Sequence, residues 1–368
     1  MKLIQRIRKT FMDYARCIYF ESNGNPLHIP GVTARILTAR IKHDHGPFNY
    51  SMFSFRNVPR TQWSTYISNK EFWRLIENRY HPDSYKPVRN KALFYEHCLE
   101  HGLPTIPIVC IVGRSKQPLS TKNITQIQDF DQWQQTLESA PADLFAKPID
   151  GSKGAGAFSI SHIGEQYSYG RLLIKGSIRN LYSYVLEKSR NAVLIVQPRI
   201  RSHPDILEFS SVHGLTTTRV VTAMVNGEPQ VLYACVRLPV GANITDNFAD
   251  ASSGNLIAAI NLETGTLGNA FRSARSDWPV IHCIEAHPDT GHRIRGSVFP
   301  MWQSVINLAL RAQNSLPSLG TMGCDIAVSK KGPLLVETNN TYGVDMLQTA
   351  HQQGFSRELT SIVKDQTL

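Results

Sequence analysis

The stretch GCDIAVSKKGPLLVETNN, Gly323 to Asn340, places an Asp, a Glu and an Asn where two paired strands would bring them together. Cys324 to Val328 and Leu334 to Glu337 both read as strands, joined by Lys330, Lys331 and Gly332 as a three-residue loop with Gly at its end. That loop pairs Ser329 with Pro333 and, counting outward, Asp325 with Glu337. Asn339, two residues beyond Glu337, falls on the same side of the sheet. Like charges directly opposite each other destabilise a sheet, so this pair invites a bridging cation. Oxygens from Asp325, Glu337 and Asn339, with no His or Cys among them, suit Mg²⁺ or Mn²⁺ rather than zinc. Taken alone, the same residues also fit a half-exposed hairpin whose acids face water.

A second chemical candidate is KPIDGSKGAGAF, with Lys147 followed by Gly151, Gly154 and Gly156. Glycines let backbone N–H groups approach an anion, and a lysine adds the point charge that phosphate oxygens need. Gly151 and Gly156 have the spacing of a Walker loop, but Ala157 and Phe158 stand where Lys and Ser or Thr are required, and a strand follows. What remains is a hairpin flap with a lysine on the strand leading into it, or simply a Gly-rich turn. Lys91 opens a helix upstream, and the apolar strand LIVQPRI carries Gln197, whose amide suits the edge of an adenine held between apolar groups.

The elements that must position these residues are mixed. Residues 1–86 read as a mainly helical, aromatic-rich module, with SNKEFWRLIENRY a helix before the breaker HPDSYKP. Strands follow at TIPIVCIVG, around the Gly-rich flap, at AVLIVQPRI, and at TTTRVVTAMVNG and PQVLYACVRLPV; a helix at MWQSVINLALRAQNSL precedes the hairpin. Helix and strand do not alternate regularly, so the expected class is α+β.

Thirty-nine Lys and Arg against 29 Asp and Glu give a net charge of +10, which favours anionic partners. No nucleic-acid motif is present and the positive charges are dispersed, so a nucleic-acid partner is not expected. The six cysteines form no CxxC pair, and Cys110, Cys235 and Cys324 sit in apolar runs, which fits reduced thiols and a cytoplasmic location. The N-terminal MKLIQRIRKTFMDYARCIYF is interrupted by charge, so no signal-peptide core is expected; its basic helix is read as packed, with peripheral contact to lipid headgroups as the alternative. No apolar run approaches the roughly 20 residues of a membrane span.

The order of these features, Lys, then Lys with a Gly flap, then a strand with a polar hinge, then Asp and E-x-N, resembles the ATP-grasp proteins, and among them the sugar-transfer-associated ATP-grasp family. The matching segments include NKALFYEHCLEHGLPT, FAKPIDGSKGAGAF, VQPRIRSHPDI, TTTRVVTA and the opening hairpin. They cover roughly residues 60 to 345. The resemblance implies two α+β lobes, here 87–199 and 200–368, gripping ATP behind the helical module at 1–86. It implies a carboxylate that attacks the γ-phosphate and an acylphosphate then captured by an amine.

Carried over by position, the resemblance assigns Lys91 and Lys147 to ATP phosphates, Ser152, Lys153, Gly154 and Gly156 to the closing flap, Gln197 to adenine and Asp205 to ribose. Asp325, Glu337 and Asn339 become ligands of Mg²⁺ tied to ATP. Some relatives carry an Arg two residues before the metal Asp; here that residue is Gly323, so the charge must come from elsewhere, with Arg219 and Arg237 as candidates for binding the acylphosphate or substrate carboxylate. Asn247, beside Asp246 in TDNF, matches a loop over the acceptor site. His203 and His287 are read as structural. The expected substrates are a small carboxylate and an amine, one of them a sugar, nucleotide-sugar or amino acid of surface polysaccharide synthesis. Ligation of amino acids or peptides in small-metabolite synthesis and phosphotransfer to a hydroxyl are the alternatives.

Overall fold

The computed structural model describes residues 2–77, 82–113, 121–151, 154–190 and 192–365. Helices α1 (Lys2–Glu21), α2 (Ile29–His43), α3 (Pro47–Met52), α4 (Asn69–Glu77), α5 (Lys86–Arg89) and α6 (Lys91–Glu100) open the chain. One sheet follows, built from β1 (Cys110–Val112), β2 (Gln126–Ile127), β3 (Asp143–Pro148), β4 (Phe158–Ile163), β5 (Gln166–Tyr169), β6 (Ile174–Gly176) and β7 (Leu194–Pro198), with α7 (Phe130–Glu138) and α8 (Ile178–Lys188) between strands. After α9 (Pro204–Leu207) comes a second sheet of β8 (Thr217–Val225), β9 (Glu228–Leu238), β10 (Leu256–Ile260), β11 (Leu267–Ser273) and β12 (Ile281–Ile284). Helix α10 (Trp302–Ser315) leads to β13 (Thr321–Ser329) and β14 (Gly332–Asn339), and α11 (Val344–His351) and α12 (Ser356–Asp365) close it. The class is α+β, as expected.

The first sheet runs β2-β1-β7-β3-β4-β5-β6, antiparallel except for β1 with β2; the second, β12-β11-β10-β9-β8-β13-β14, is antiparallel throughout. In β3, Leu144 and Ala146 pack in a core with Trp133, Leu137, Leu181 and Val185 from the covering helices. Strand alternation therefore turns Phe145 and Lys147 to the opposite face, and Gln197 joins them because it pairs with Phe145. The expected strand from Thr105 to Gly113 is cut short because Pro107 lacks the N–H that a continuous ladder needs. Its first residues instead reach the other sheet, where the Leu335 N–H donates to the Pro104 carbonyl at 2.8 Å and the Thr105 hydroxyl donates to the Leu335 carbonyl at 2.8 Å.

The N-terminal helices share a core with the second sheet: Phe53, Phe55, Trp63 and Tyr66 lie in one apolar cluster with Leu256, Ala270, Ile326 and Leu347. Polar ties reinforce the junction. Gln348 on α11 accepts from the Ile67 N–H at 3.0 Å and donates to the Ile67 carbonyl at 2.7 Å, and the Trp278 indole donates to Ser51 at 2.9 Å. Of the cysteines, Cys283 is exposed and the other five are buried, where desolvation pushes the Cys110 and Cys235 thiols up to about 12.

The hairpin pairs Asp325 with Glu337, but by a different route from the expected one. Ser329 pairs with Gly332, not Pro333, so Lys330 and Lys331 alone make the turn. A bulge then inserts Val336 between Leu335, opposite Ile326, and Glu337, opposite Asp325. The bulge restores the one residue by which the turn falls short of the expected loop.

Candidate active site

Arg219 on β8, Asp325 on β13 and Glu337 on β14 form one cross-strand row, because Asp325 pairs with Arg219 on one side and Glu337 on the other. Thr217 and Arg237 are paired in the adjoining row. Asp325 is 1% exposed. Arg219 Nε donates to its Oδ1, Arg219 Nη2 donates to Oδ2 at 3.0 Å, and Arg237 Nη2 donates to the same Oδ2 at 2.9 Å. Arg237 Nη2 also donates to the Thr217 hydroxyl, and Arg237 Nε lies 3.3 Å from Asp246 Oδ2, which accepts from the Thr217 N–H at 3.0 Å. Burial raises the Asp325 carboxyl, but Arg219 and Arg237 together outweigh it and hold the group at about 2. Asp246, for which burial dominates over Arg237, stays above the usual carboxylate range. The facing carboxylates are thus neutralised first by guanidinium groups, a correction to the expectation that a bound cation alone relieves their repulsion. Both arginines are engaged with Asp325 instead of standing free for a substrate.

Gly323 makes room for this arrangement. A Cβ there would lie 2.7 Å from Tyr342 Cβ and 2.8 Å from Arg219 Cδ, so the Arg219 stem occupies the space that a side chain two residues before Asp325 would fill. Gly323→Ala is expected to cost about 1–3 kcal/mol of stability by overpacking and to displace Arg219 from Asp325. Urea unfolding measures this; a midpoint equal to wild type would contradict it.

Glu337 is more open, its side chain 31% exposed, with Lys91 Nζ at 3.7 Å from Oε2 and Asn339 Nδ2 donating to Oε1 at 3.4 Å. Lys91 occupies the first turn of α6, where the helix dipole disfavours a cation. Asn90 caps this helix by accepting from the Ala92 and Leu93 N–H groups, and Lys91 Nζ donates to the Gly151 carbonyl at 2.7 Å, tying the helix to the flap base. Lys147 faces the same space. Lys147 is largely covered, and enough protein surrounds its ammonium that desolvation lowers it to about 8, against the opposing pull of Glu337. In the flap, Gly154 and Gly156 adopt φ of 68° and 75°, which side chains rarely tolerate, and a Cβ on Gly154 would come within 3.0 Å of Thr245 from the second sheet's 241–254 loop. Ser152 and Lys153 lie outside the described residues.

Lys91, Lys147, Gln197, Asp325 and Glu337 line one cleft between the two sheets. Gln197 Nε2 donates to the Ile106 carbonyl at 3.0 Å, which leaves Oε1 and the second Nε2 hydrogen for a ligand. Ile106 and Phe145 adjoin Gln197, and apolar Val212 and Leu215 and the two lysines also line the cleft, a combination that fits a nucleotide. Asp205 is not brought there: its side chain is 64% exposed on α9 beside His203, and it lines neither cleft. Arg199 and Arg201 line the cleft without having been singled out in the sequence; the segment VQPRIR that carries Gln197 was their only signal.

A second cleft of about 520 Å³ joins the first at Lys91, Gly151, Arg237, Asn247 and Glu337. Phe48, Trp73, Phe94 and Phe248 give it an apolar wall, and Arg219, Asn339 and Asp250 also line it. Its lining includes Ala249 and Asp250, which with the buried Ala251 adopt φ of 48°, 54° and 70°, three successive non-Gly residues in the left-handed region, at about 1–2 kcal/mol each. Asn247 Oδ1 accepts from the Ala249 N–H at 2.7 Å, and the buried Asn255 donates to the carbonyls of Thr245 and Asn247 at 2.9 Å each, fixing the turn. Asn247 therefore reaches the site, but its side-chain oxygen is committed to the loop.

Among the described residues no three His, Cys, Asp or Glu side chains converge as a metal cage. The hairpin does offer hard oxygens. Of the four acceptor positions of the Asp325 carboxylate, the arginines take three, leaving one on Oδ1; Glu337 faces the cleft, and Asn339, donating through Nδ2, keeps its amide oxygen. This set fits Mg²⁺.

A family model described as sugar-transfer associated ATP-grasp matches residues 69–364. No curated protein matches the chain. Among solved structures, a carboxyaminoimidazole ribonucleotide synthetase in complex with ADP is 11% identical at a TM-score of 0.41, with 75% of this chain and 52% of that one covered. A D-alanyl-alanine synthetase A from Vibrio cholerae is 11% identical at 0.44, covering 78% and 66%. A D-cycloserine synthetase is 13% identical at 0.39, covering 87% and 82%. The chain thus spans between half and two thirds of the length of the first two.

Proposed function

The chain belongs to the sugar-transfer associated ATP-grasp family, and on that premise we propose that it is an ATP-dependent ligase that activates a carboxylate as an acylphosphate and joins it to an amine, releasing ADP. The observation that carries this reading is the junction of two clefts at Lys91, Arg237 and Glu337: one with an apolar, amide-bearing end suited to a nucleobase, the other large enough for a small acceptor. The Gln197 amide meets the adenine edge, and Lys91 and Lys147 bind phosphate oxygens. Asp325, Glu337 and Asn339 hold Mg²⁺, which when bound neutralises phosphate charge. The substrate carboxylate oxygen attacks the γ-phosphorus as the bond to the bridging oxygen of ADP breaks. The amine nitrogen then attacks the acyl carbon, phosphate leaves, and the nitrogen gives up a proton to solvent. Positioning and charge supply most of the catalysis in such transfers, so no dedicated base is needed for the first step.

The second cleft is assigned to the acceptor. The family description and a wall of aromatic rings beside Asn69, Asn340 and Asp250 support a uronic acid, amino sugar or amino acid of surface polysaccharide synthesis. Trp73→Ala is expected to raise the KM for the acceptor about tenfold to a hundredfold while leaving the KM for ATP unchanged. An equal rise in both would place Trp73 elsewhere in the reaction.

Calorimetry tests nucleotide binding. Near pH 8 about half of the empty sites hold Lys147 uncharged, and triphosphate favours the ammonium, so magnesium-dependent ATP binding takes up about half a proton from buffer. Titrations in buffers of different ionisation enthalpy read this uptake, which Lys147→Met abolishes. Binding without magnesium dependence would overturn the assignment.

A further inference from the structure

Among the described residues no helix is long and apolar enough to cross a membrane, yet exposed apolar side chains are concentrated at the start of the chain. Of nineteen exposed large apolar side chains among the described residues, nine fall between Ile4 and Ile41. On α1, Ile4, Ile7 and Phe11 recur at helical spacing and are 72%, 61% and 71% exposed. The same stripe continues as Tyr14 and Ile18, which pack against the core, so the helix carries its apolar side past the body that covers it. Exposed Met12 and Tyr19 widen the stripe, and α2, packed beside α1, carries exposed Leu37 and Ile41 one turn apart.

Charge indicates what covers this face. Residues 1–43 carry eight Lys and Arg against two acids, six of the chain's net ten positive charges in about an eighth of its length. Arg8 lies at the edge of the apolar stripe by helical spacing, and Lys9, 3.8 Å from Asp13, and Arg16, both exposed, lie on the polar side of the helix. A protein partner with an apolar groove would need only the stripe; an excess of cations along its length suits a surface of fixed negative charge with hydrocarbon beneath it. We infer that the α1–α2 pair is a docking face for an anionic lipid surface. Helix α1 also packs on α3, whose Phe48 and Met52 line the second cleft, so docking brings that cleft close to the lipid. The inference rests on charge and exposure outside the family match and is independent of the ligase reading.

The test is co-sedimentation of the full chain with vesicles of phosphatidylcholine containing about one third phosphatidylglycerol, against phosphatidylcholine alone. Binding is expected to the anionic vesicles only, falling about tenfold or more between low salt and about 0.5 M salt. Ile7→Glu with Phe11→Glu abolishes it, and Arg8→Gln with Lys9→Gln weakens it by roughly thirtyfold. Thermal unfolding checks that each variant folds, and if the apolar pair does not, the charge pair and the salt series decide. Equal binding to neutral vesicles, no binding, or binding indifferent to both variants overturns the inference. So does analytical ultracentrifugation that finds a wild-type dimer converted to monomer by Ile7→Glu with Phe11→Glu, since the face would then be a contact between copies.

Discussion

Glu337→Gln is expected to lower turnover of ATP by about a thousandfold, ~4 kcal/mol of transition-state stabilisation, without weakening the binding of metal-free ATP. Glu337 is the open carboxylate of the hairpin, with Asp325 shielded by two guanidiniums, so on the proposed reading loss of its charge removes the main anionic group that would hold magnesium. Without metal the same carboxylate repels phosphate and competes for Lys91, 3.7 Å away. Metal-free ATP should therefore bind the variant as tightly as wild type or slightly more so, and addition of magnesium should bring no gain. Steady-state kinetics and calorimetry on one protein preparation measure both effects. Equal loss of ATP affinity with and without magnesium would assign Glu337 to direct nucleotide contact or to folding.

The second large effect is on stability. Arg237→Met removes the guanidinium shared by Asp325, Asp246 and Thr217, all buried, and is expected to destabilise the fold by about 3–5 kcal/mol. Asp325 keeps Arg219, so most of the cost falls on Asp246, left with Thr217 as its partner. Burial already holds Asp246 above the usual carboxylate range, and loss of Arg237 raises it further. A carboxyl raised above its unfolded value binds more protons in the folded state, so the variant loses stability as pH rises through that range. Its deficit is therefore larger at pH 8 than at pH 5, and Asp246→Asn in the same chain recovers part of it. Urea unfolding at the two values reads this; a deficit independent of pH would show that the lost interaction is packing, not charge.

Much of the site was legible because it rests on local rules. Pairing of Asp325 with Glu337 followed from counting along a hairpin, even though the loop is a residue shorter than expected and a bulge at Val336 makes up the difference. Lys147 and Gln197 were legible because a strand with one apolar face turns every second residue to the other side. What stayed hidden depends on register between strands far apart in the chain: Arg219 meets Asp325 across 106 residues and Arg237 meets it across 88, and no local pattern encodes either. The turn at Ala249 to Ala251 was invisible for another reason. Non-Gly residues in the left-handed region are held there by Asn247 and Asn255, not by their own preference. Asp205 was carried over by position along the chain, and the short α9 leaves it facing solvent.

The central claim is tested most directly by separating the nucleotide and amide products after incubation with Mg·ATP and a panel of uronic acids, amino sugars and amino acids. ADP and phosphate are expected in equal amounts, formed only when a carboxylate and an amine are both present and matched by a new amide mass. Release of AMP, or of ADP with a hydroxyl acceptor and no carboxylate, would contradict the acylphosphate route.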